Sequence, residues 1–272
     1  MAARVAQTDA TVLLTGESGV GKEVVARYVH QHSGRRNGPF VAINCAAIPD
    51  TLLGATLFGY EKGAFTGAQQ PQAGKFEQAQ DGTLLLDEVT EMPLGLQAKL
   101  LRVLQEREVE RVGGKKPIAL NIRIVATSNR DMAEAVSRGV FREDLYYRLN
   151  VFPLPIPALR QRPEDIVPLA KHFLAAHGGA MGRTGLGLTP AAEAALRAYG
   201  WPGNVRELEN VMQRAVILAP GERVDVDSLH LAGSPAVPAA IPAAQSPAMV
   251  AHAAEPLPAK ADSIRDLERE HI

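Results

Sequence analysis

The chain has 272 residues, 46% of them hydrophobic, which is enough for one large α/β domain with a sizeable core and a smaller second one. Its formal net charge of -1 supplies no global basic field for nucleic acid, and no long apolar span marks a membrane segment or a secretory leader. Cys45 is the one cysteine, and the seven histidines lack metal-ligand spacing, a pattern that predicts a reducing cytoplasm and a small, buried Cys45.

Thr11-Val12-Leu13-Leu14-Thr15 reads as a buried parallel strand. Gly16-Glu17-Ser18-Gly19-Val20-Gly21-Lys22-Glu23 follows it, and Val24-Val25-Ala26-Arg27-Tyr28-Val29 then reads as a helix. A strand, a Gly-rich turn and a helix opening on Gly-Lys form a P-loop. Its glycines let backbone N–H groups curl round a phosphate, the helix N-terminus adds a positive field, and Lys22 supplies a mobile charge. Glu23 stands where a magnesium-binding hydroxyl usually follows the lysine. The alternative reading is a Gly-rich turn with no ligand.

A second strand is expected over 40–44, ending on Asn44, and a helix over 52–58. In the segment Gly63-Ala64-Phe65-Thr66-Gly67-Ala68, glycines bracket a lone Phe and Thr. It reads either as a tight turn with Phe65 inward, or as a protrusion offering Phe65 and Thr66 to a partner. Gly82-Thr83-Leu84-Leu85-Leu86-Asp87-Glu88 is an apolar strand ending in two carboxylates, and parallel strands present ligand groups at that end. Asp87 is placed to hold magnesium and Glu88 to orient and activate a water. A helix over 93–108 carries Leu94, Ala98, Leu101 and Leu104 as its core stripe, and residues 110–114 read as a hairpin or turn. A strand over 121–127 ends at Ser128-Asn129, where Asn129 either bonds the γ-phosphate or its water, or caps a turn.

Phe141-Arg142-Glu143-Asp144-Leu145-Tyr146-Tyr147-Arg148-Leu149 carries two arginines. These are solvated surface groups unless a neighbouring subunit's site receives them. Pro153, Pro155 and Pro157 mark a domain boundary, and a helical remainder follows. It comprises a helix over 165–176, one begun by Thr189-Pro190, and one over 205–218 after the turn Trp201-Pro202-Gly203-Asn204. Asn204 and Glu207 make a capping-box-like start there, with Arg206 either solvated or reaching a nucleotide. Residues 232–261 are an Ala/Pro-rich linker and 262–272 begin a helix. The chain opens almost at its first strand and stops inside a pattern, which predicts a piece of a longer protein.

Taken in order, these motifs resemble an AAA+ ATPase. Residues 63–68 match the GAFTGA signature of the bacterial enhancer-binding proteins that activate sigma-54 RNA polymerase. Asn44-Cys45-Ala46-Ala47 and the stretches 16–23, 141–150 and 201–210 agree, over roughly residues 1–230, and Glu23 also agrees with this family. The resemblance implies a three-layer α/β sandwich with a central parallel sheet over 1–153 and a small all-helical lid over 154–231. It makes 262–272 the leading edge of a helix-turn-helix domain for enhancer DNA. It implies ATP and Mg2+, with phosphate contacts from residues 16–23 and Lys22, magnesium at Asp87, and the water at Glu88. Asn44 resembles an asparagine that holds the catalytic glutamate in an inactive pose. Asn129 and Arg206 resemble the sensor I and sensor II residues. Arg142 and Arg148 resemble arginine fingers acting across a ring of six or seven subunits, and residues 63–68 the sigma-54 contact. The stretches 55–60, 74–80 and 106–111 look most like flagellar response regulators of the FleR/FlrC type, with a nitrogen-regulation or other two-component branch as the alternative.

Overall fold

The structure, a computed structural model, describes residues 1–231. The linker and helix-turn-helix expected at 232–272 lie outside the described residues. In chain order come α1 (Ala2–Ala6), β1 (Val12–Thr15), α2 (Lys22–Gln31), β2 (Phe40–Asn44), α3 (Asp50–Phe58), α4 (Lys75–Gln78) and β3 (Thr83–Asp87). Next are α5 (Leu94–Glu106), β4 (Glu108–Glu110), β5 (Pro117–Ala119), β6 (Arg123–Ser128), α6 (Met132–Ser137), α7 (Glu143–Leu149) and β7 (Phe152–Pro155). The remainder holds α8 (Pro163–Ala180), a short strand pair at 187–188 and 223–224, α9 (Pro190–Ala198), α10 (Asn204–Leu218) and α11 (Val226–Leu229).

Five strands form one parallel sheet in the order β2-β3-β6-β1-β7. Both faces are covered, so the central strands run apolar without a break. Leu84 and Leu86 pack with α3, α4, α5 and α7 residues such as Leu57, Phe76, Leu100 and Leu145, whereas Leu85 packs with Val12, Leu14, Ala26 and Val29 on the opposite face. This is the expected three-layer sandwich. The helical remainder has its own core around Trp201, Ile166, Leu174, Leu208 and Met212.

Three local expectations change. Pro153 and Pro155 lie inside β7, so the sheet continues past the boundary read at 153. The strand is at the sheet edge, where a residue without an N–H is tolerated. In α5, Leu94 and Ala98 are exposed, and the buried face is Gln97, Leu100, Leu101, Val103 and Leu104. Gln97 sets this face: its amide donates to the Met92 and Val140 carbonyls and accepts from the Arg142 N–H, tying three backbone segments. In α10 the capping residue is Gly203, whose N–H donates to the Glu207 carboxylate at 2.8 Å, while the Asn204 side chain points elsewhere.

Arg123 has a role that no local pattern signals. It is 1% exposed and donates to the carbonyls of Ala6 and Val5 at 2.9 and 2.8 Å, closing the C-terminal end of α1 onto the sheet. Arg123→Met keeps the apolar stem but leaves both carbonyls unmet. We expect it to cost about 2 kcal/mol and lower the melting temperature by roughly 5 °C. An unchanged melting curve would show that these bonds contribute nothing.

Candidate active site

All the sheet's candidate groups emerge at one edge, because parallel pairing in register brings Thr15, Asn44, Asp87 and Ser128 to the same end. From β1 the chain turns through residues 16–21 into α2. Gly21 precedes the helix with φ at 99°, in the left-handed region where a side chain would be strained. Lys22 is buried, and its Nζ donates to the carbonyls of Gly16 and Glu17 at 2.9 and 3.1 Å. Among the described residues no acceptor meets the backbone N–H groups of Gly19, Val20 or Gly21. Orphaned donors, a helix N-terminus and a lysine form a cradle that fits a polyphosphate.

The β2–β3 register sets Asn44 directly beside Asp87. Asn44 Nδ2 accordingly donates to Asp87 Oδ2 at 2.9 Å, and its Oδ1 accepts from the N–H groups of Ala46 and Ala47. The contact implied between Asn44 and Glu88 is therefore absent in this conformation. Glu88 sits just past the strand with φ at 53°, which turns its carboxylate toward the loop. Glu88 Oε1 is 3.5 Å from Lys22 Nζ, and Oε2 accepts from the Asn129 N–H at 3.1 Å. Thr127, which the sequence reading missed, links the two acids: its hydroxyl donates to Asp87 Oδ1 at 2.6 Å and accepts from the Glu88 N–H at 2.9 Å. A hydroxyl side chain near the end of an apolar strand was the available signal. Cys45 is buried as expected, and burial with the nearby charges of Asp87 and Glu88 pushes its thiol up to about 12.

The donor set suits magnesium better than a cation that needs a full protein cage. Among the described residues there is no cluster of three or more His, Cys, Asp or Glu for a metal. Mg2+ takes one or two carboxylates, phosphate oxygens and water. Asp87 and Glu88 offer that much. Glu23 lines the same cleft as these two acids, with its carboxylate paired to Arg27 at 2.7 Å.

The helical unit closes the site from above. A cleft of about 420 Å³ has Lys22, Asp87 and Glu88 on one wall and Phe173, Val205 and Arg206 on the other. Arg206 Nη1 donates to Ser18 Oγ at 3.0 Å. A second cleft of about 620 Å³ lies across Ser18 and Arg206 and includes Asn129 and Arg130. Arg142 and Arg148 line neither cleft. Arg142 pairs with Asp144 at 2.6 Å, and Arg148 donates to the Leu104 carbonyl at 2.7 Å.

Residues 63–68 form a turn closed by Gly63 N–H to the Ala68 carbonyl at 2.8 Å, with Ala68 buried at its base. The turn is tight, yet Phe65 faces outward. It is 42% exposed and leans edge-on against Tyr60 at 4.9 Å, and Thr66 is exposed beside it.

Residues 1–155 match the model of the sigma-54 interaction domain, and residues 160–243 that of the AAA+ ATPase lid domain. The chain belongs to the sigma-54 interaction domain family of AAA+ ATPases. It is 62% identical over 231 residues to the response regulator protein FleR of Pseudomonas aeruginosa, covering 85% of this chain and 49% of that protein. It is 55% identical over 240 residues to the transcriptional regulatory protein FlbD of Caulobacter vibrioides, covering 88% and 53%. Among solved structures, NtrX from Brucella abortus in complex with ADP superposes with a TM-score of 0.77 at 40% identity, over 84% of this chain and 51% of that one. The chain thus spans about half the length of the relatives it matches. As a member of this family it is an ATP-binding AAA+ ATPase domain. No helix of the described residues is long and apolar enough to cross a membrane.

Proposed function

We propose that this chain is the motor of a cytoplasmic transcription activator that uses ATP to remodel the closed promoter complex of sigma-54 RNA polymerase, in a ring of six or seven copies. What carries this reading is the turn at 63–68, which leaves both Phe65 and Thr66 exposed on its outer side. The stretches 55–60, 74–80 and 106–111 favour flagellar genes as the targets. Enhancer DNA is the second partner that this reading gives to the whole protein.

The residues divide the work. The free N–H groups of 19–21 and Lys22 bind and orient the phosphates. ATP would supply the phosphoryl group, and Asp87 would hold Mg2+, which would supply charge neutralisation there. Asn44 and Thr127 hold Asp87 in one orientation. Glu88 orients a water and takes its proton, while Asn129 and Arg206 report the state of the γ-phosphate end. Arg142 and Arg148 line neither cleft of their own chain, which leaves them available to a neighbour's site. Hydrolysis drives the turn only if its contact with sigma-54 differs between nucleotide states.

Thr66→Val is expected to leave ATP turnover within about twofold of wild type while abolishing activated transcription from a sigma-54 promoter. Phosphate release and transcript yield from the same preparation decide it. If the two fall together, Thr66 supports the ATPase itself and the turn is not a dedicated contact.

A further inference from the structure

We infer that Glu17 is a positioning residue: held by Arg160 and Asn204, it latches the lid onto the phosphate-binding loop and fixes the loop's peptide units in the orientation that receives phosphate. Five successive loop carbonyls each have a donor. Those of Gly16 and Glu17 accept from Lys22. Asn204 Nδ2 donates to the Ser18 carbonyl at 3.0 Å, Arg206 N–H to that of Gly19 at 3.2 Å, and Arg162 Nη2 to that of Val20 at 2.9 Å. These last three donors come from the helical unit and the segment leading into it. In a planar trans peptide the C=O and the following N–H point in opposite directions. Holding the carbonyls of 18, 19 and 20 toward the lid therefore aims the N–H groups of 19, 20 and 21 the other way. Those are the three N–H groups left without an acceptor.

Glu17 is the hub of this arrangement. Its carboxylate takes both terminal nitrogens of Arg160, with Nη1 to Oε2 at 2.9 Å, and Oε2 also accepts from Asn204 Nδ2 at 3.0 Å. Arg160 and Asn204 hold the Glu17 carboxyl down to about 2. Asn204 is fully buried, and its remaining oxygen accepts from the Leu159 N–H at 2.8 Å, so one amide joins the loop, the entry to the lid and the first turn of α10. Its φ of 53° is a conformation that Asn tolerates better than most residues. Gly19 belongs to the same contact: a Cβ there would lie 2.4 Å from the Gly203 carbonyl oxygen. Lid position and loop shape become one linked equilibrium, so a nucleotide that favours the loop also closes the lid.

The latch rests on the nucleotide reading of the loop, and its test separates the two. ADP binding is measured by calorimetry on the chain, together with the fluorescence of Trp201, the one tryptophan, which is buried at the start of the α10 turn. The variants are Glu17→Gln, Arg160→Gln and the double, all at partly exposed positions where folding is not at stake. Each single variant should weaken ADP about tenfold and shrink the Trp201 response. The double should cost no more than either single variant, because both break the same link. Wild-type affinity in the single variants, or a double that costs the sum of the two, overturns the latch while the nucleotide site stands. Absence of ADP binding by the wild type overturns the nucleotide reading and the latch with it.

Discussion

Glu88→Gln is expected to keep ATP bound and to lower its hydrolysis by about 10³-fold. The amide has the size of the carboxylate, so the turn at 88 and the bond from the Asn129 N–H survive. It no longer accepts a proton from water, and that loss falls on turnover alone. On the proposed reading, binding belongs to other groups: the free N–H groups of 19–21, Lys22, and Arg206 at Ser18. Removing a negative charge 3.5 Å from Lys22 Nζ, if it changes binding, strengthens it. Phosphate release and nucleotide titration on one preparation separate the two effects. Turnover within tenfold of wild type would take the base role from Glu88, and loss of binding would make it a structural partner of Lys22.

Arg148→Ala should fall to a similar level for a different reason, and mixing should reveal it. Arg148 uses one donor on the Leu104 carbonyl and sits in a small recess with Asp9, Thr11 and Val151, away from both clefts of its own chain. A guanidinium that reaches a neighbour's γ-phosphate contributes about 10³-fold or more, and no group in its own chain replaces it. Wild-type turnover per chain should therefore rise steeply with protein concentration, with the variant near zero throughout. Arg148→Ala mixed with Glu88→Gln should regain part of the activity. In mixed rings one chain supplies the intact acid and the other the intact arginine. Turnover independent of concentration, or a mixture as silent as its parts, would end the trans-site reading for Arg148. Arg142 has further to go, since it must first leave Asp144 at 2.6 Å.

Local pattern was enough to find the strand–loop–helix around Lys22, the paired acids at the end of β3, Asn129 just past β6 and the glycine-bracketed Phe65. Each of these rests on local rules: a short apolar run, a Gly-Lys step, carboxylates at a strand end. What those groups touch is set by the folded chain. Register in the sheet gave Asn44 to Asp87, and a left-handed turn gave Glu88 to Lys22 and Asn129. Both are relations between residues about 40 or more apart in the chain, on which a local pattern is silent. The same distance hid Thr127, the carbonyl-binding Arg123 and the inward Gln97, all polar groups whose burial is tolerable only because remote partners meet them. Asn204 is the clearest case. Locally it has the form of a helix cap. In the fold its amide is drawn away to Glu17, Ser18 and Leu159, because satisfying buried groups on the loop and the lid entry outweighs capping one helix that Glu207 already serves.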